Sequence, residues 1–220
     1  MDRRGWARIG REVLALLLSS VCPGCDEVGT LLCDDCRMLL SPAPHELSTP
    51  GGLPVHAALV YEGVAARSIR RVKEEGATML AHPLGAAVRA LLTDSARGAL
   101  IAPVPTSRAA YRSRGYRVPE LLVRRAGFAT TRLLTSARRT GDQRELGRAE
   151  RARNVSGSMR ARQRTRGRRR VVIFDDVVTT GATLDEAARA LRQAGFDPVA
   201  AVVLAATPQR RDTRKFIVNG

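Results

Sequence analysis

The sequence predicts an α/β fold built on a mainly parallel sheet, with a small cysteine knuckle ahead of it. Three observations predict this. From Ala57 onward, apolar runs suited to buried strands alternate with segments of helical pattern, the order that yields parallel strands and crossover helices. Four cysteines stand as two C-x-x-C pairs between residues 22 and 36. Between these regions lies SPAPHELSTPGGLP (41–54), whose prolines and glycines punctuate the chain. The 220 residues suffice for one full α/β domain and a small appendage. The expected division is a helix and knuckle over 1–40, a linker over 41–56 and the α/β domain over 57–220.

At the N-terminus, Arg3 and Arg4 precede the apolar run Val13 to Leu18, an order shared with export signals. That run is short, and Arg8, Arg11 and Glu12 interrupt its approach. Val21 before Cys22 is not the small residue that lipoprotein cleavage needs, and Ile9, Val13, Leu14, Leu16 and Leu17 largely fit one helical face. No segment is long enough to span a membrane, so the expectation is a cytoplasmic protein without membrane insertion.

In CPGC (22–25) and CDDC (33–36), two residues between thiols let both sulfurs of a tight turn face one ion. Two such turns make the tetrahedral thiolate set that zinc prefers, so Cys22, Cys25, Cys33 and Cys36 are the expected ligands of a structural zinc, with an iron–sulfur cluster as the second choice. Two disulfides would require export, and a thioredoxin-like redox motif needs one pair on a strand-to-helix turn.

Along the α/β domain, AALVYEG (57–63) suits a strand. The stretch 64–94 reads as helical segments broken near Gly76 and Pro83. GALIAPVP (98–105) is a buried strand that ends in a turn over Pro103 to Arg108. VPELLVRRAG (118–127) is helical, and TTRLLTSARR (130–139) begins as a strand. Residues 138–170 lack apolar periodicity and read as a long loop with some helix. A strand follows over 171–175, a helix from about Leu184 to Ala194, and a strand in PVAAVVLAA (198–206). In such sheets ligands bind at the carboxyl ends of strands, where the turns at 103–108 and 175–183 both fall.

The formal charge of +16 is concentrated. Residues 108–170 hold twenty arginines against four acids, while the remainder of the chain is balanced. This placement points to a polyanionic partner: phosphate, pyrophosphate or nucleic acid. Lys73 and Lys215 are the only lysines, so a bias toward arginine codons also raises the count without choosing where the charge lies. Eight aromatics in the whole chain argue against a surface built on repeated base stacking.

The stretch VVIFDDVVTTGATL (171–184) carries the sharpest chemistry. In the turn Thr179, Thr180, Gly181, Ala182 and Thr183, free backbone N–H groups, threonine hydroxyls and the positive end of a helix attract a phosphate, and Gly181 lets the backbone approach. Asp175 and Asp176 suit the vicinal hydroxyls of a sugar, with a divalent cation nearby. A phosphate site beside a diol site describes a ribose 5-phosphate. The plainer alternative is a strand–turn–helix whose acids cap the helix. His45, His56 and His82 are isolated, His82 being read as a helix-start or surface residue, and no nucleophile motif or P-loop is present.

VVIFDDVVTTGAT resembles the signature of the type I phosphoribosyltransferases, which bind 5-phosphoribosyl 1-pyrophosphate (PRPP). With the paired cysteines, VKEEG (Lys73, Gly76), APVPTSRAAYRSRGY and RRTGDQRELGRAERARN, the chain from 20 to 206 resembles the ComF family. The resemblance implies a phosphoribosyltransferase sheet with helices on both faces behind a zinc knuckle. It implies transfer of a phosphoribosyl group to an unidentified acceptor, with magnesium as cofactor. Pyrophosphate would be held near Thr106, Ser107 and Arg108, with Arg112, Arg114 and Lys73 close by. A flexible loop including Arg138, Arg139, Gln143, Arg151 and Asn154 would close over bound PRPP. The acceptor pocket would lie under a hood that could include residues 1–57. As an alternative, the resemblance implies a protein of DNA uptake and transformation that contacts single-stranded DNA and the uptake machinery, with a regulatory or vestigial PRPP site. One departure stands out: after Arg114-Gly115-Tyr116 the family usually continues Asn-Gln, and here Arg117-Val118 follows.

Overall fold

The computed structural model describes residues 20–137 and 157–208. Its five-stranded sheet has the order β1-β2-β7-β6-β3, with β1 at His45–Ser48, β2 at Pro54–Val60, β3 at Leu100–Pro103, β6 at Arg170–Val178 and β7 at Asp197–Ala206. All neighbours run parallel except β1, which pairs antiparallel with β2. A separate antiparallel ribbon joins β4 (Leu134–Ser136) to β5 (Met159–Ala161).

Strands buried on both faces read as continuous apolar runs rather than alternating ones. That is the pattern of Val171–Phe174 and Ala200–Ala206. Val172, Phe174, Val202 and Leu204 enter one core layer, and Val171, Ile173, Ala201 and Val203 enter the other. The first layer is covered by α2 (Gly63–Arg70), α3 (Ala81–Ser95) and α5 (Val118–Arg125). The second is covered by α6 (Ala182–Gln193) and the β4–β5 ribbon. The fold class is therefore α/β, with a mainly parallel sheet and helices on both faces.

Several elements differ from expectation. The strand expected from Ala57 begins at Pro54, and β1 lies inside the Pro- and Gly-rich stretch; its residues HELS lack an apolar run because β1 is a half-exposed edge strand. Pro83 does not break a helix: α3 starts at Ala81, and Pro83 sits in the first turn, where a missing N–H leaves no bond unmade. The break falls at Gly76 alone (φ 74°), preceded by a π-helical turn, Arg71–Glu75, and followed by a 3₁₀ turn, Thr78–Leu80. β5 lies in the stretch read as a long loop. The strand expected to stop at Asp175 continues to Val178, because Val177 and Val178 pair with Ala205 and Ala206 of β7.

The cysteine knuckle is part of the first core layer. Cys22, Leu32, Cys36 and Leu40 are buried with Val64 and Ile69 of α2, and α1 (Asp34–Met38) carries Cys36. Arg67 donates to the carbonyl of Gly24, and Arg71 Nη1 donates to the carbonyl of Val21 at 2.7 Å. A Cβ on Gly24 would stand 2.1 Å from Cys36 Sγ, so the CPGC turn fits only with glycine there. Among the described residues no helix is long and apolar enough to cross a membrane.

Candidate active site

β6 outruns its neighbour β3. The pair is in register from Leu100–Val171 to Pro103–Phe174, and the Val104 N–H closes the ladder on the Phe174 carbonyl at 2.8 Å. From Asp175 onward the β3 side of β6 is open, and a cavity of about 180 Å³ occupies the gap. Asp175, Asp176, Lys73, Thr106, Ser107 and Arg114 all line it. A site formed where chain connections leave a parallel sheet in opposite directions is the usual ligand position in α/β folds.

Each group is held by local structure. Asp176 is buried, and its Oδ1 accepts from Lys73 Nζ at 2.7 Å. Asp175 Oδ1 accepts from the Asp176 N–H at 2.8 Å. Burial and the neighbouring Asp176 charge push Asp175 up to about 8, against the opposing pull of that N–H and of Lys73. Ser107 caps α4 (Arg108–Arg114), its Oγ accepting from the Ala110 N–H at 3.2 Å. Arg114 ends the same helix and lines the cavity, whereas Arg108 and Arg112 are exposed and do not.

The Thr179–Thr183 turn lies beyond the end of the same strand, about 10 Å further along at the usual rise per residue. Thr179 and Thr180 are exposed, and Thr180 Oγ1 accepts from the Ala182 N–H at 3.4 Å. Gly181 precedes α6 with φ 78°, a left-handed conformation that favours glycine. The turn rests on the β1–β2 loop, where a Cβ on Gly181 would stand 3.1 Å from Thr49 and Pro50. In the same loop the Gly51 N–H donates to Asp185 Oδ2 at 2.9 Å.

The residues expected to form a closing loop (Arg138, Arg139, Gln143, Arg151 and Asn154) lie outside the described residues, but the ribbon that leads into and out of that stretch is placed. The Ala137 N–H donates to the Ser158 carbonyl at 2.7 Å, and the ribbon packs on α6. The Arg117-Val118 departure is absorbed structurally. The Arg117 guanidinium lies 4.1 Å from the centre of the Tyr111 ring and 3.7 Å from Glu120, while Val118 is core. Two further contacts had no signal in the sequence, since both end on backbone oxygens: Arg71 on the Val21 carbonyl, and the Tyr116 hydroxyl on that of Val72.

At the knuckle, the four sulfurs lie within 4.8 Å of one another, with Cys22–Cys33 at 3.7 Å and Cys25–Cys33 at 3.5 Å. Zinc–sulfur bonds of about 2.3 Å in a tetrahedron require edges of about 3.8 Å, so the set fits zinc. Burial raises the Cys22 thiol, but hydrogen bonds from the backbone of Cys33, Gly24 and Cys25 outweigh it and bring it to about 6. Burial and the other thiols push Cys36 up. A cation at the centre of the four sulfurs would favour their ionised forms and offset that burial.

Residues 114–219 match the family model of the phosphoribosyl transferase domain. The match takes in Arg114, both acids and the Thr179–Thr183 turn, and leaves the cysteines, Lys73 and Thr106 to Arg108 outside it. Among solved structures, the orotate phosphoribosyltransferase of Aeropyrum pernix is similar at 18% identity, over 78% of this chain and 79% of that one, with a TM-score of 0.35. No curated protein matches the chain.

Proposed function

We propose that this chain binds PRPP together with a divalent cation and transfers its phosphoribosyl group to a nitrogenous acceptor. The carrying observation is the convergence of Asp175 and Asp176 on one cavity with Thr106, Ser107, Arg114 and Lys73. The family match over the acids and the threonine turn supports the same reading. The 5-phosphate would sit on the N–H groups of the Thr179–Thr183 turn, and the carboxylates would accept from the ribose hydroxyls. Magnesium fits an all-oxygen set of this kind and would neutralise charge on the departing pyrophosphate. Arg114, Lys73 and the polar groups of Thr106 and Ser107 face the same leaving group. Residues 138–154 would close over the ligand and exclude water, and the hood over the acceptor would draw on residues 1–57. In this reading 1–40 act as the zinc knuckle and 57–220 as the transferase domain of a cytoplasmic protein, while 41–56, expected as a linker, join the two and add β1 and the start of β2 to the sheet.

Calorimetric titration of PRPP with and without magnesium tests the proposal. Magnesium-dependent binding is expected in the wild type and its loss in Asp175→Asn/Asp176→Asn; absence of binding to the folded wild type would overturn it. The pH dependence has a defined sign. Asp175 holds its proton below about 8 in the ligand-free protein, so binding near pH 7 should release a proton, and affinity should rise with pH and level off above that value. The same raised value makes the ligand-free fold lose stability as pH rises from the ordinary carboxylate range to about 8, with no further loss from this group above that value.

A second reading is favoured by a different surface. Arg160 and Arg164 are exposed on a groove of about 360 Å³ that also involves Arg189, and Arg162, Arg166, Arg168, Arg169 and Arg170 are exposed nearby. This surface suits the backbone of single-stranded DNA, as in a ComF-type role in DNA uptake. Oligonucleotide binding that weakens steeply as salt rises would support that reading, and no binding at low salt would sink it.

A further inference from the structure

Buried Asp176 needs a counter-charge, because a desolvated carboxylate left unpaired is strongly destabilising. Its counter-charge is Lys73, 103 positions away in sequence and 2.7 Å away in space. The lysine does not arrive on a pliant surface helix. It stands in the π-helical turn Arg71–Glu75, a local geometry that recurs at functional sites. That turn is fixed on three sides: Gly76 closes it in the left-handed conformation, Tyr116 donates to the Val72 carbonyl, and Arg71 donates to the Val21 carbonyl of the knuckle. The ammonium is thus delivered to the cavity wall where a divalent cation would meet the carboxylates, beside Arg114 and Ser107.

We infer that Lys73 is an internal stand-in for the divalent cation, occupying Asp176 in the ligand-free protein and giving it up when a cation–sugar pyrophosphate complex enters. The inference rests on the reading of Asp175 and Asp176 as the sugar and cation site. An ammonium and a divalent cation compete for one carboxylate, so the lysine keeps bare cations out. A pyrophosphate entering with its cation offers the displaced ammonium a new anion within the same cavity. Lys73 is then a positioning residue that makes the site respond to the complex rather than to the metal.

The test uses magnesium alone as the first probe. In Lys73→Met, magnesium without any sugar phosphate is expected to bind about tenfold or more tightly than in wild type, since a cation beside the carboxylate has been removed. PRPP with magnesium is expected to bind the same variant no more tightly than wild type. Lys73→Arg should leave magnesium binding near the wild-type value. A merely structural lysine would not strengthen the binding of magnesium alone while leaving PRPP with magnesium bound no more tightly. Magnesium binding that is unchanged or weakened in a folded Lys73→Met overturns the inference. Wild-type protein gives an independent readout, because Lys73 and Lys215 are the only lysines. Amine labelling read by mass spectrometry should show Lys73 more reactive at saturating magnesium, with Lys215 as internal reference; no change there also overturns the inference. The magnesium-only arms contain no PRPP, so a failure of the proposed function is read separately.

Discussion

Chelator treatment, which would empty the four-cysteine knuckle of the zinc its geometry fits, is expected to lower the thermal midpoint of the whole α/β domain, not just to loosen its N-terminus. Cys22 is 0% and Cys36 4% exposed, and both pack with Leu32, Leu40, Val64 and Ile69 in the core layer that carries Phe174 and Leu204. Without an ion, these sulfurs leave either crowded thiols or an unneutralised thiolate against the core, and the contacts of Arg67 and Arg71 to the knuckle backbone lose their fixed partners. Binding free energy at such a site is folding free energy. A loss of about 3 kcal/mol or more is expected, which for a chain of this size lowers the midpoint by roughly 10 °C. Cys36→Ser should do the same. Metal content and unfolding curves before and after chelation check this, and the absorbance of the loaded protein separates zinc from an iron–sulfur cluster. An unshifted midpoint in metal-free protein would show that the knuckle folds independently of the core.

That coupling illustrates what the sequence reveals and what it hides. β6 and β7 were legible because a strand buried on both faces is written as a continuous apolar run, and the cavity-lining acids were legible because carboxylates in such a strand need a reason. The clustering of the four cysteines was legible from spacing alone. β1 and β5 were not, since a half-exposed edge strand and a three-residue ribbon strand bury too little to leave a pattern. The partner of Asp176 was not readable either: a pair 103 residues apart follows from topology, and the π-helical turn that aims Lys73 has no local signature in RVKEE. Arg117 shows the reverse case. It breaks the expected motif, yet it is absorbed by the Tyr111 ring and Glu120, and Glu120 is also gripped by Arg132 at 2.9 and 2.6 Å.

Glu186→Ala is expected to destabilise the protein and to do so first at the β4–β5 ribbon. Glu186 is 4% exposed, and its carboxylate accepts from the Met159 N–H at 2.9 Å and from Arg189 Nε and Nη2 at 2.7 and 2.8 Å. Burial alone would raise this glutamate; Arg189 and the backbone N–H groups outweigh it and hold it below the ordinary range. With a depressed value in the fold, the contribution is present above the ordinary glutamate range and is lost as pH falls through the lowered one, so the variant and wild type should converge in acid. Removing one partner of a buried pair costs about 3–5 kcal/mol; Arg189 is partly exposed and keeps water and Gln193 as partners, which brings the expectation to about 2 kcal/mol. Glu186→Gln should lose less, because its amide oxygen still accepts from Met159. Urea unfolding at neutral pH measures the loss, and hydrogen exchange locates it. Amides of β4 and β5 should lose protection while those of β6 and β7 keep theirs. The consequence reaches the proposed lid, residues 138–154, because the chain enters that stretch from one strand of this ribbon and leaves it toward the other. A ribbon released from α6 would leave the two attachment points of that lid unanchored, so PRPP affinity should fall in the same variant while magnesium binding at Asp176 is unchanged.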